Sequence, residues 1–211
     1  EVIQDGMVDL IDAGKMTVAS ATSFSLSPEY AEKMNNEASR YRESIILRPQ
    51  SISNHPEVIR RTGLIASNGM IEADIYGNAN STHINGSRLM NALGGSGDFT
   101  RNAYISSFIS PSIAKDGAIS AIVPFASHID HNEHDAMVFI TEYGVADLRG
   151  LAPRDRPAKM ISIAHPSYRP LLEEYVERAS KCKYQATPHD LRHAFDFHLR
   201  MEETGTMMKE D

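Results

Sequence analysis

The chain lacks the marks of several large protein classes. Its 211 residues include one cysteine, Cys182, which excludes an intrachain disulfide framework and favours a reducing compartment. No apolar run reaches the roughly eighteen residues of a membrane span, and the first residues show no signal-peptide pattern. We therefore expect no membrane partner, and a cytoplasmic location, or a mitochondrial one if the source is eukaryotic.

The chain also has fewer basic than acidic residues. The 21 Lys and Arg residues against 28 Asp and Glu residues give a formal net charge of −7 at pH 7. Because no basic stripe offsets this charge, nucleic acid is not an expected partner, although a local basic spot can still bind an anionic ligand. With 41% hydrophobic residues, the chain can form one full core or two small domains.

Strand-like segments alternate with helix-like segments, which predicts an α/β domain. "EVIQDGMVDLIDAGK" has helical spacing from its first residues and a stop at Gly14. Because this helix opens without a cap, we interpret the chain as the C-terminal half of a longer protein. A second helix is expected to begin at Ser27 and Pro28, and a third to begin just before Pro56 and end at Gly63.

The other elements follow from apolar periodicity and turn signals. Residues 17–21 predict a short strand and "ESIILRP" a buried one, while Asn68 and Gly69 indicate a hairpin. "GSRLMNALGG" has the spacing of a helix that ends on glycine. "AYISSFIS", "GAISAIVPFAS" and "AMVFITEYG" are rich in strand formers, and "HPSYRPLLEEYVERASK" and "TPHDLRHAFDFHLRME" predict two terminal helices.

A glycine cluster, "NALGGSGDF" at residues 91–99, is the first candidate site. It lacks the spacing and the strand–turn–helix context of a dinucleotide-binding fingerprint, and it lacks the Gly-Lys-Ser/Thr of a Walker A loop. Glycines crowd where a backbone turns tightly or approaches a ligand closely. The residues alone leave open a structural turn and an anion or oxyanion site formed by unshielded amides.

Charged clusters supply the remaining candidates. "ASHIDHNEHD" holds His128, His131 and His134 beside three carboxylates, but this loop spacing is not a recognised zinc motif and favours a solvated acidic loop. A metal-dependent hydrolase that uses these histidines remains a rival hypothesis. In "VFITEYGVADLRG", Glu142 follows a strand, which places it at a sheet edge, where α/β folds carry out their chemistry. A charged loop is the alternative, and Lys115 taken alone is a surface lysine.

Four segments together carry a family resemblance. "EVIQDGMVDLI", "LGGSGDF", "ITEYGVADLRG" and "APRDRPAKMISIAHPSYRPLL" closely resemble the acetyl-CoA hydrolase/transferase family, in order and from residue 1 to about 180. The nearest branch is the succinyl-CoA:acetate and propionyl-CoA:succinate CoA-transferases. The resemblance implies a CoA-transferase-like open sheet of the NagB/RpiA type, flanked by helices. It makes residues 1–211 the C-terminal domain, with a core over 1–180, a terminal helix and tail over 181–211, and an N-terminal half that is missing here.

The resemblance also implies a reaction. CoA passes between an acyl-CoA (succinyl-, propionyl- or acetyl-CoA) and a small carboxylate such as acetate or succinate, through an anhydride and then a glutamyl-CoA thioester. The position of the family's nucleophile falls on Glu1. Acetyl-CoA hydrolysis is the first alternative, and a non-catalytic binding half is another. No cofactor is implied, since CoA itself is a substrate.

Further roles are carried over from the family by position. Gly95, with Gly94 beside it, matches the residue whose backbone N–H stabilises the oxyanion. Asn54 matches an amide that contacts the bound carboxylate or the nucleophile. Glu142 and Lys115 match a paired acid and base near the substrate, and Lys115 is also a CoA-binding candidate. The family binds CoA across both halves and commonly forms homodimers, so the expected partners are the missing half and a second copy.

Overall fold

The structure is a computed structural model, and it describes residues 1–181 and 186–209. Cys182 therefore lies outside the described residues. The chain folds as two compact units, Glu1–Gly63 and Leu64–Asp211. The sequence predicted one domain with a core over residues 1–180 and a terminal helix and tail over 181–211, whereas the structure divides at Gly63. Among the described residues, no helix is long and apolar enough to cross a bilayer.

The first unit is built from short strands and helices. In chain order they are β1 (Val2–Ile3), α1 (Asp5–Asp12), β2 (Ala19–Ala21), β3 (Ser23–Phe24), α2 (Pro28–Asn36), α3 (Ala38–Tyr41), β4 (Ile45–Leu47), α4 (Gln50–Ser53) and α5 (Pro56–Thr62). Strand β1 pairs in parallel with β3, and β2 pairs in parallel with β4. Ile3, Val8 and Tyr41 form the centre of this unit's core.

Local capping explains the helices that the sequence predicted in this unit. The Ser27 hydroxyl accepts a hydrogen bond from the amide three residues on, at 3.5 Å, and Pro28 begins α2. The His55 ring accepts one from the amide two residues on, and Pro56 begins α5. Gly63 ends α5 with a φ of 62°, a conformation that glycine adopts without steric cost. Both predicted starts and the predicted stop at Gly63 are confirmed.

Two expectations for this unit are wrong. Val2 and Ile3 form a strand rather than the start of the first helix, because Ile3 is fully buried beside β3, and α1 begins only at Asp5. The segment "ESIILRP" does form a strand, but Ile46 and Leu47 are 38% and 53% exposed. Apolar composition predicts the strand, but it does not show which face another element covers.

The second unit contains a four-stranded sheet. Its elements in chain order are β5 (Ile65–Gly69), β6 (Glu72–Asp74), β7 (Ala79–Asn80), β8 (His83–Ile84), β9 (Arg88–Leu89), α6 (Ser96–Asn102), β10 (Ile105–Ile109), β11 (Ile113–Ala114), β12 (Ile119–Ser120), β13 (Ile122–Val123), β14 (Val138–Thr141), β15 (Gly144–Asp147), α7 (Arg156–Ser162), α8 (Arg169–Ser180) and α9 (Asp196–Thr204). The sheet order is β15-β14-β10-β5, with β5, β10 and β14 parallel. Their carboxyl ends share one edge, where open α/β sheets place their ligands.

The hairpin expected at Asn68 and Gly69 is absent. Both residues belong to β5, which runs through to Gly69 and pairs in parallel with β10; Asn68 lies opposite Phe108, and Gly69 lies opposite Ile109. A parallel partner about forty residues away in sequence leaves no local signal, whereas the Asn-Gly pair is a strong hairpin signal. Long-range pairing therefore overrides the local turn preference.

The helix expected in "GSRLMNALGG" is also wrong. Arg88–Leu89 forms the short strand β9, and Leu89 is 65% exposed, so the apolar residues here do not face a core. Helix α6 begins at Ser96, after the glycines, which therefore precede a helix instead of ending one. This changes their chemistry, because the first amides of a helix lack partners within it.

The terminal helices pack onto the core of the second unit. The rings of Phe108 and Phe139 stack 5.6 Å apart at its centre. Helices α7, α8 and α9 contribute Met160, Tyr175 and Phe197 to the same cluster. The two predicted terminal helices are thus present as α8 and α9, although α9 begins only at Asp196 and not at the predicted start near Thr187. Helix α7 has no counterpart among the sequence expectations. Helix α9 lies in the segment predicted as a terminal helix and tail, and its Phe197 belongs to this core.

Asp74 in β6 predicts a pH-dependent stability. It is fully buried, and burial raises its pKa to about 6 although Asn78 and Tyr76 donate hydrogen bonds to it. Since unfolding restores a pKa near 3.9, the folded state retains a proton between those two values. We expect this contribution to stability to be complete below about pH 4 and to fall by roughly 2–3 kcal/mol as pH rises through 6.

Denaturant unfolding of the wild type and of Asp74→Asn between pH 4 and pH 7 measures this contribution. Asparagine cannot titrate, so the difference in unfolding free energy between the two proteins should change with pH over this range and level off above pH 7. A constant difference would contradict the prediction.

Candidate active site

In the first unit, Asn54 and Glu1 are in direct contact. The Asn54 side-chain amide Nδ2 donates a hydrogen bond of 3.0 Å to Oε1 of the Glu1 carboxylate. The Glu1 backbone is fixed as well, because the Thr22 amide and hydroxyl both donate to its carbonyl, at 2.8 and 2.9 Å. Two candidate residues that lie 53 positions apart in sequence are therefore brought together, and a hydrogen bond holds the carboxylate in one orientation.

Asn54 is held between two short helices. It ends α4, where its backbone amide donates to the Gln50 carbonyl at 2.9 Å, and it immediately precedes the cap of α5. The residue is only 4% exposed, and its side-chain carbonyl Oδ1 is buried and has no hydrogen-bond partner within the described part of the chain. A buried amide oxygen that lacks a partner is costly. It is therefore free to accept a hydrogen bond from a bound molecule.

In the second unit, the glycine cluster forms a tight turn. Gly94 has a φ of 58°, and Gly95 has φ and ψ of −88° and 1°. These angles match a type II′ turn, in which glycine supplies the left-handed first position. Such a turn uses the amide of its fourth residue and leaves that of its third residue free. Among the described residues, the buried Gly95 N–H accordingly has no acceptor.

A cavity of about 340 Å³ lies beside this turn. Asn68 and Gly69, at the carboxyl end of β5, line one side of it, and Leu93 and Ser96, from the turn and the start of α6, line another. The volume is in the range of small-ligand pockets. The glycine turn therefore lies beside the carboxyl edge of the sheet, and the reading of the cluster as a tight turn is confirmed.

Glu142 lies at the carboxyl end of β14, as the sequence predicts. Its carboxylate accepts hydrogen bonds from the Ser112 hydroxyl at 2.5 Å and from the Ser112 amide at 2.9 Å. Partial burial raises the pKa of Glu142, but the Ser112 hydrogen bonds and the neighbouring His165 outweigh this effect and hold the pKa below its usual value. Glu142 is therefore a carboxylate at neutral pH, able to accept hydrogen bonds but not to donate a proton.

Lys115 does not form the expected ion pair with Glu142. Among the described residues, Glu142 is hydrogen-bonded to Ser112, and Lys115 is exposed on the turn between β11 and β12. Lys115 and Asp116 have φ values of 49° and 53°, so the backbone turns sharply at Lys115 and does not continue β11. Two consecutive non-glycine residues in this region store roughly 1–2 kcal/mol each, a feature that clusters at functional sites.

The three-histidine loop does not assemble a metal site. His131 is buried, the His128 ring stacks on the His83 ring with 3.9 Å between centroids, and His134 is exposed. Within the described ranges, no group of three His, Cys, Asp or Glu side chains is arranged to hold a metal ion. The metal-hydrolase hypothesis therefore has no ligand set in these residues.

Two parts of the site were missed by sequence reasoning. Ser112 follows β10 and Glu142 follows β14, so the pairing of those two strands brings the two residues together. Ser112 could have been predicted from the sequence, because both residues come just after strands that are neighbours in the sheet. Ser96 and His131 are also in contact, with 3.0 Å between Oγ and Nε2. Separately, Asp147 and Arg149 form a surface ion pair at 2.7 Å.

Known sequences match the chain over almost its whole length. The family model described as the acetyl-CoA hydrolase/transferase C-terminal domain matches residues 31–176. A succinyl-CoA:acetate CoA-transferase of Clostridium kluyveri is 53% identical and is matched over 98% of this chain and 39% of its own length. A propanoyl-CoA:succinate CoA transferase of Escherichia coli is 50% identical, over 99% and 42%. The chain thus spans about two fifths of the length of these curated relatives.

A solved structure has the same fold. The crystal structure of RipA from Yersinia pestis superposes with a TM-score of 0.75 and 28% sequence identity, covering 86% of this chain and 44% of that one. The predicted α/β fold of CoA-transferase type is therefore confirmed.

Proposed function

The chain belongs to the acetyl-CoA hydrolase/transferase family, and on that premise we propose that the protein transfers CoA between an acyl-CoA and a small carboxylate. The donor is succinyl-, propionyl- or acetyl-CoA, and the acceptor is a carboxylate such as acetate or succinate. The observation that carries this proposal is the hydrogen bond from Asn54 to Glu1, because it orients an otherwise exposed carboxylate as a nucleophile needs to be oriented.

The reaction proceeds in balanced steps on Glu1. A Glu1 oxygen attacks the acyl carbonyl of the donor, the carbon–sulfur bond breaks, and a mixed anhydride and CoA thiolate result. The thiolate then attacks the Glu1 carbonyl of the anhydride, which releases the donor carboxylate and leaves a glutamyl-CoA thioester. The acceptor carboxylate then attacks this thioester, which forms a second anhydride and releases the CoA thiolate. The thiolate attacks the acceptor's carbonyl in that anhydride, which gives the new acyl-CoA and regenerates the Glu1 carboxylate. A thioester is exchanged for a thioester, so the overall free-energy change is small.

The family resemblance assigns the electrostatic part of the mechanism to Gly95, Glu142 and Lys115. Each tetrahedral intermediate carries a negative oxygen, and the unpartnered Gly95 amide is suited to bind it, with Gly94 holding the turn. The Glu142 carboxylate, held by Ser112, accepts hydrogen bonds from the substrate, in the region of its pantetheine arm. Exposed Lys115 provides positive charge for the anionic substrate.

We also propose which molecules the protein needs as partners. No cofactor is required, since CoA enters and leaves as substrate. The rest of the full-length protein completes the CoA site, and the whole enzyme forms a homodimer. A cytoplasmic or, in a eukaryote, mitochondrial location suits a chain with a single cysteine.

The decisive experiment traps the thioester. The full-length protein is incubated with succinyl-CoA, reduced with borohydride, digested and mapped by mass spectrometry. We expect a Glu1 whose side chain has become a primary alcohol, because borohydride reduces a thioester but not a free carboxylate. Reduction at any other residue, or no reduced residue at all, would overturn the assignment of Glu1.

Acetyl-CoA hydrolysis is the second candidate, and the description of the matched family names both activities. The two differ only in whether water or a carboxylate attacks the thioester. Assays with acetyl-CoA in the presence and absence of succinate separate them. Release of free CoA that is independent of succinate indicates a hydrolase, whereas formation of succinyl-CoA indicates a transferase.

Replacing Asn54 by leucine is expected to lower kcat/KM by roughly 10- to 100-fold. The substitution removes a hydrogen bond to a charged group, which contributes about 1.5–3 kcal/mol. Asn54→Asp is the matched variant, since it keeps the shape but replaces the donor with a second carboxylate, and it should be impaired at least as much. Steady-state kinetics on folded variants measure both, and a leucine variant within twofold of wild type would contradict the role of Asn54.

A further inference from the structure

Closure of the glycine turn depends on a side chain. The Leu93 carbonyl accepts the Ser96 amide at 3.4 Å and the Ser96 hydroxyl at 2.8 Å. The amide contact is at the long limit of hydrogen bonding, whereas the hydroxyl contact has ideal length. Ser96 Oγ therefore provides the stronger link across the turn that contains Gly94 and Gly95.

The Ser96 hydroxyl in turn is bonded to a buried histidine. His131 Nε2 lies 3.0 Å from Ser96 Oγ. A serine hydroxyl has a single proton, and here it is donated to the Leu93 carbonyl, so the contact with His131 requires an N–H on Nε2. His131 therefore donates a hydrogen bond to Ser96, and Ser96 donates one to the Leu93 carbonyl.

His131 is itself rigidly held. Its amide donates to the Ala79 carbonyl at 3.1 Å, and its carbonyl accepts from the Ala79 amide at 2.7 Å. The ring lies 5.0 Å from that of Phe108 in the middle of β10, and the residue is 4% exposed. Burial lowers the pKa of His131 more than Asp130 and Asp135 raise it, so the imidazole is neutral at physiological pH.

We propose that His131, acting through Ser96, is a positioning residue for the Gly95 amide. The inference rests on the proposed function, since it assigns the pair a task in stabilising the oxyanion. His131 transmits the rigidity of the sheet core to the turn, so that the free N–H keeps its direction when negative charge develops. His131, to which the proposed reaction assigns no step, thereby has a role that requires no metal.

A Ser–His nucleophilic dyad does not fit the same contacts. A general base must accept the serine proton, but this proton is donated to the Leu93 carbonyl and Nε2 is a donor. The geometry supports alignment of the turn, with Ser96 as a link between His131 and the backbone.

The test uses variants of the full-length enzyme. Ser96→Ala and His131→Leu should each lower kcat about tenfold, with the KM for acyl-CoA within twofold of wild type, because the turn is loosened but the substrate contacts are kept. His131→Gln can still donate from Nε2 and should recover most of the activity. His134→Leu is the matched control, since this histidine is exposed on the same loop and should have no effect.

The double variant Ser96→Ala/His131→Leu separates positioning from general loss of stability. If both residues act through one contact, it should be about as slow as either single variant, not about a hundredfold slower. Multiplicative losses, a Ser96→Ala enzyme with unchanged kcat, or a glutamine variant as slow as the leucine variant would each overturn the inference. A wild-type enzyme that forms no glutamyl thioester would instead overturn the proposed function.

Discussion

Replacing Glu1 by glutamine in the full-length protein is expected to lower CoA transfer by at least about 10³-fold. The amide has nearly the same size, and its Oε1 can still accept the hydrogen bond from Asn54, so the surrounding contacts are kept. What is lost is the anionic oxygen that attacks the thioester, and loss of a nucleophile abolishes nearly all the catalysis that depends on it. Steady-state kcat, together with the intact mass of the protein after addition of acyl-CoA, measures both consequences.

Glu1→Asp is the matched control for this prediction. It retains a carboxylate but shortens the side chain by one methylene, which moves the nucleophile away from Asn54 and from the acyl carbonyl. We expect activity between those of the wild type and the glutamine variant, with a CoA adduct still detectable. A glutamine variant within tenfold of wild type, or an adduct that persists on another residue, would show that Glu1 is not the nucleophile.

The parts of the fold that the sequence predicts are those with strong local signals. Helix α5 begins at Pro56 and ends at Gly63 because the proline fixes φ and the glycine adopts the left-handed conformation, and both effects act within a few residues. Glu142 is predicted equally well, since an apolar run followed by a glycine turn marks the end of a strand.

The parts that the sequence does not predict depend on distant partners. Asn68 and Gly69 form a hairpin signal, but they lie in β5 because β10 supplies a parallel ladder. Val2 and Ile3 have helical spacing, yet they pair with β3. In each case the hydrogen bonds and burial offered by a remote strand outweigh a local preference of a few tenths to about 1 kcal/mol.

The contacts of the candidate site likewise include some that were expected before the structure and some that were not. The family resemblance implies that Asn54 contacts either the bound carboxylate or the nucleophile, and no local pattern connects residues so far apart; in the structure Asn54 donates a hydrogen bond to Glu1. The resemblance also implies a pair formed by Lys115 and Glu142, but in the structure the Glu142 carboxylate accepts a hydrogen bond from the Ser112 hydroxyl. A short side chain at the end of the neighbouring strand reaches the carboxylate more easily than a lysine beyond a bend does.

The second large effect is expected from proline at position 95. Gly95→Pro removes the one N–H that the mechanism assigns to the oxyanion, and the φ of −88° found here lies just beyond proline's usual range of about −65 ± 15°, so only a small backbone adjustment is needed. The Gly95 carbonyl, which accepts the Phe99 amide at 3.0 Å, is unaffected. Gly95→Ala is the matched variant, because it also adds a Cβ but retains the N–H.

Relative to Gly95→Ala, Gly95→Pro should reduce kcat by about 10²–10³, the loss found when one oxyanion donor is removed. KM should change much less, because the bond forms only as negative charge develops on the oxygen. Rates of the two variants, compared after thermal unfolding shows that they are equally folded, isolate the N–H from the steric effect of the Cβ. Equal kcat values would mean that the Gly95 amide takes no part in catalysis, and the unpaired donor would then be only a consequence of the turn. A large difference would instead show why a glycine turn precedes a helix at this sheet edge, since the turn leaves a backbone donor free where the reaction generates an anion.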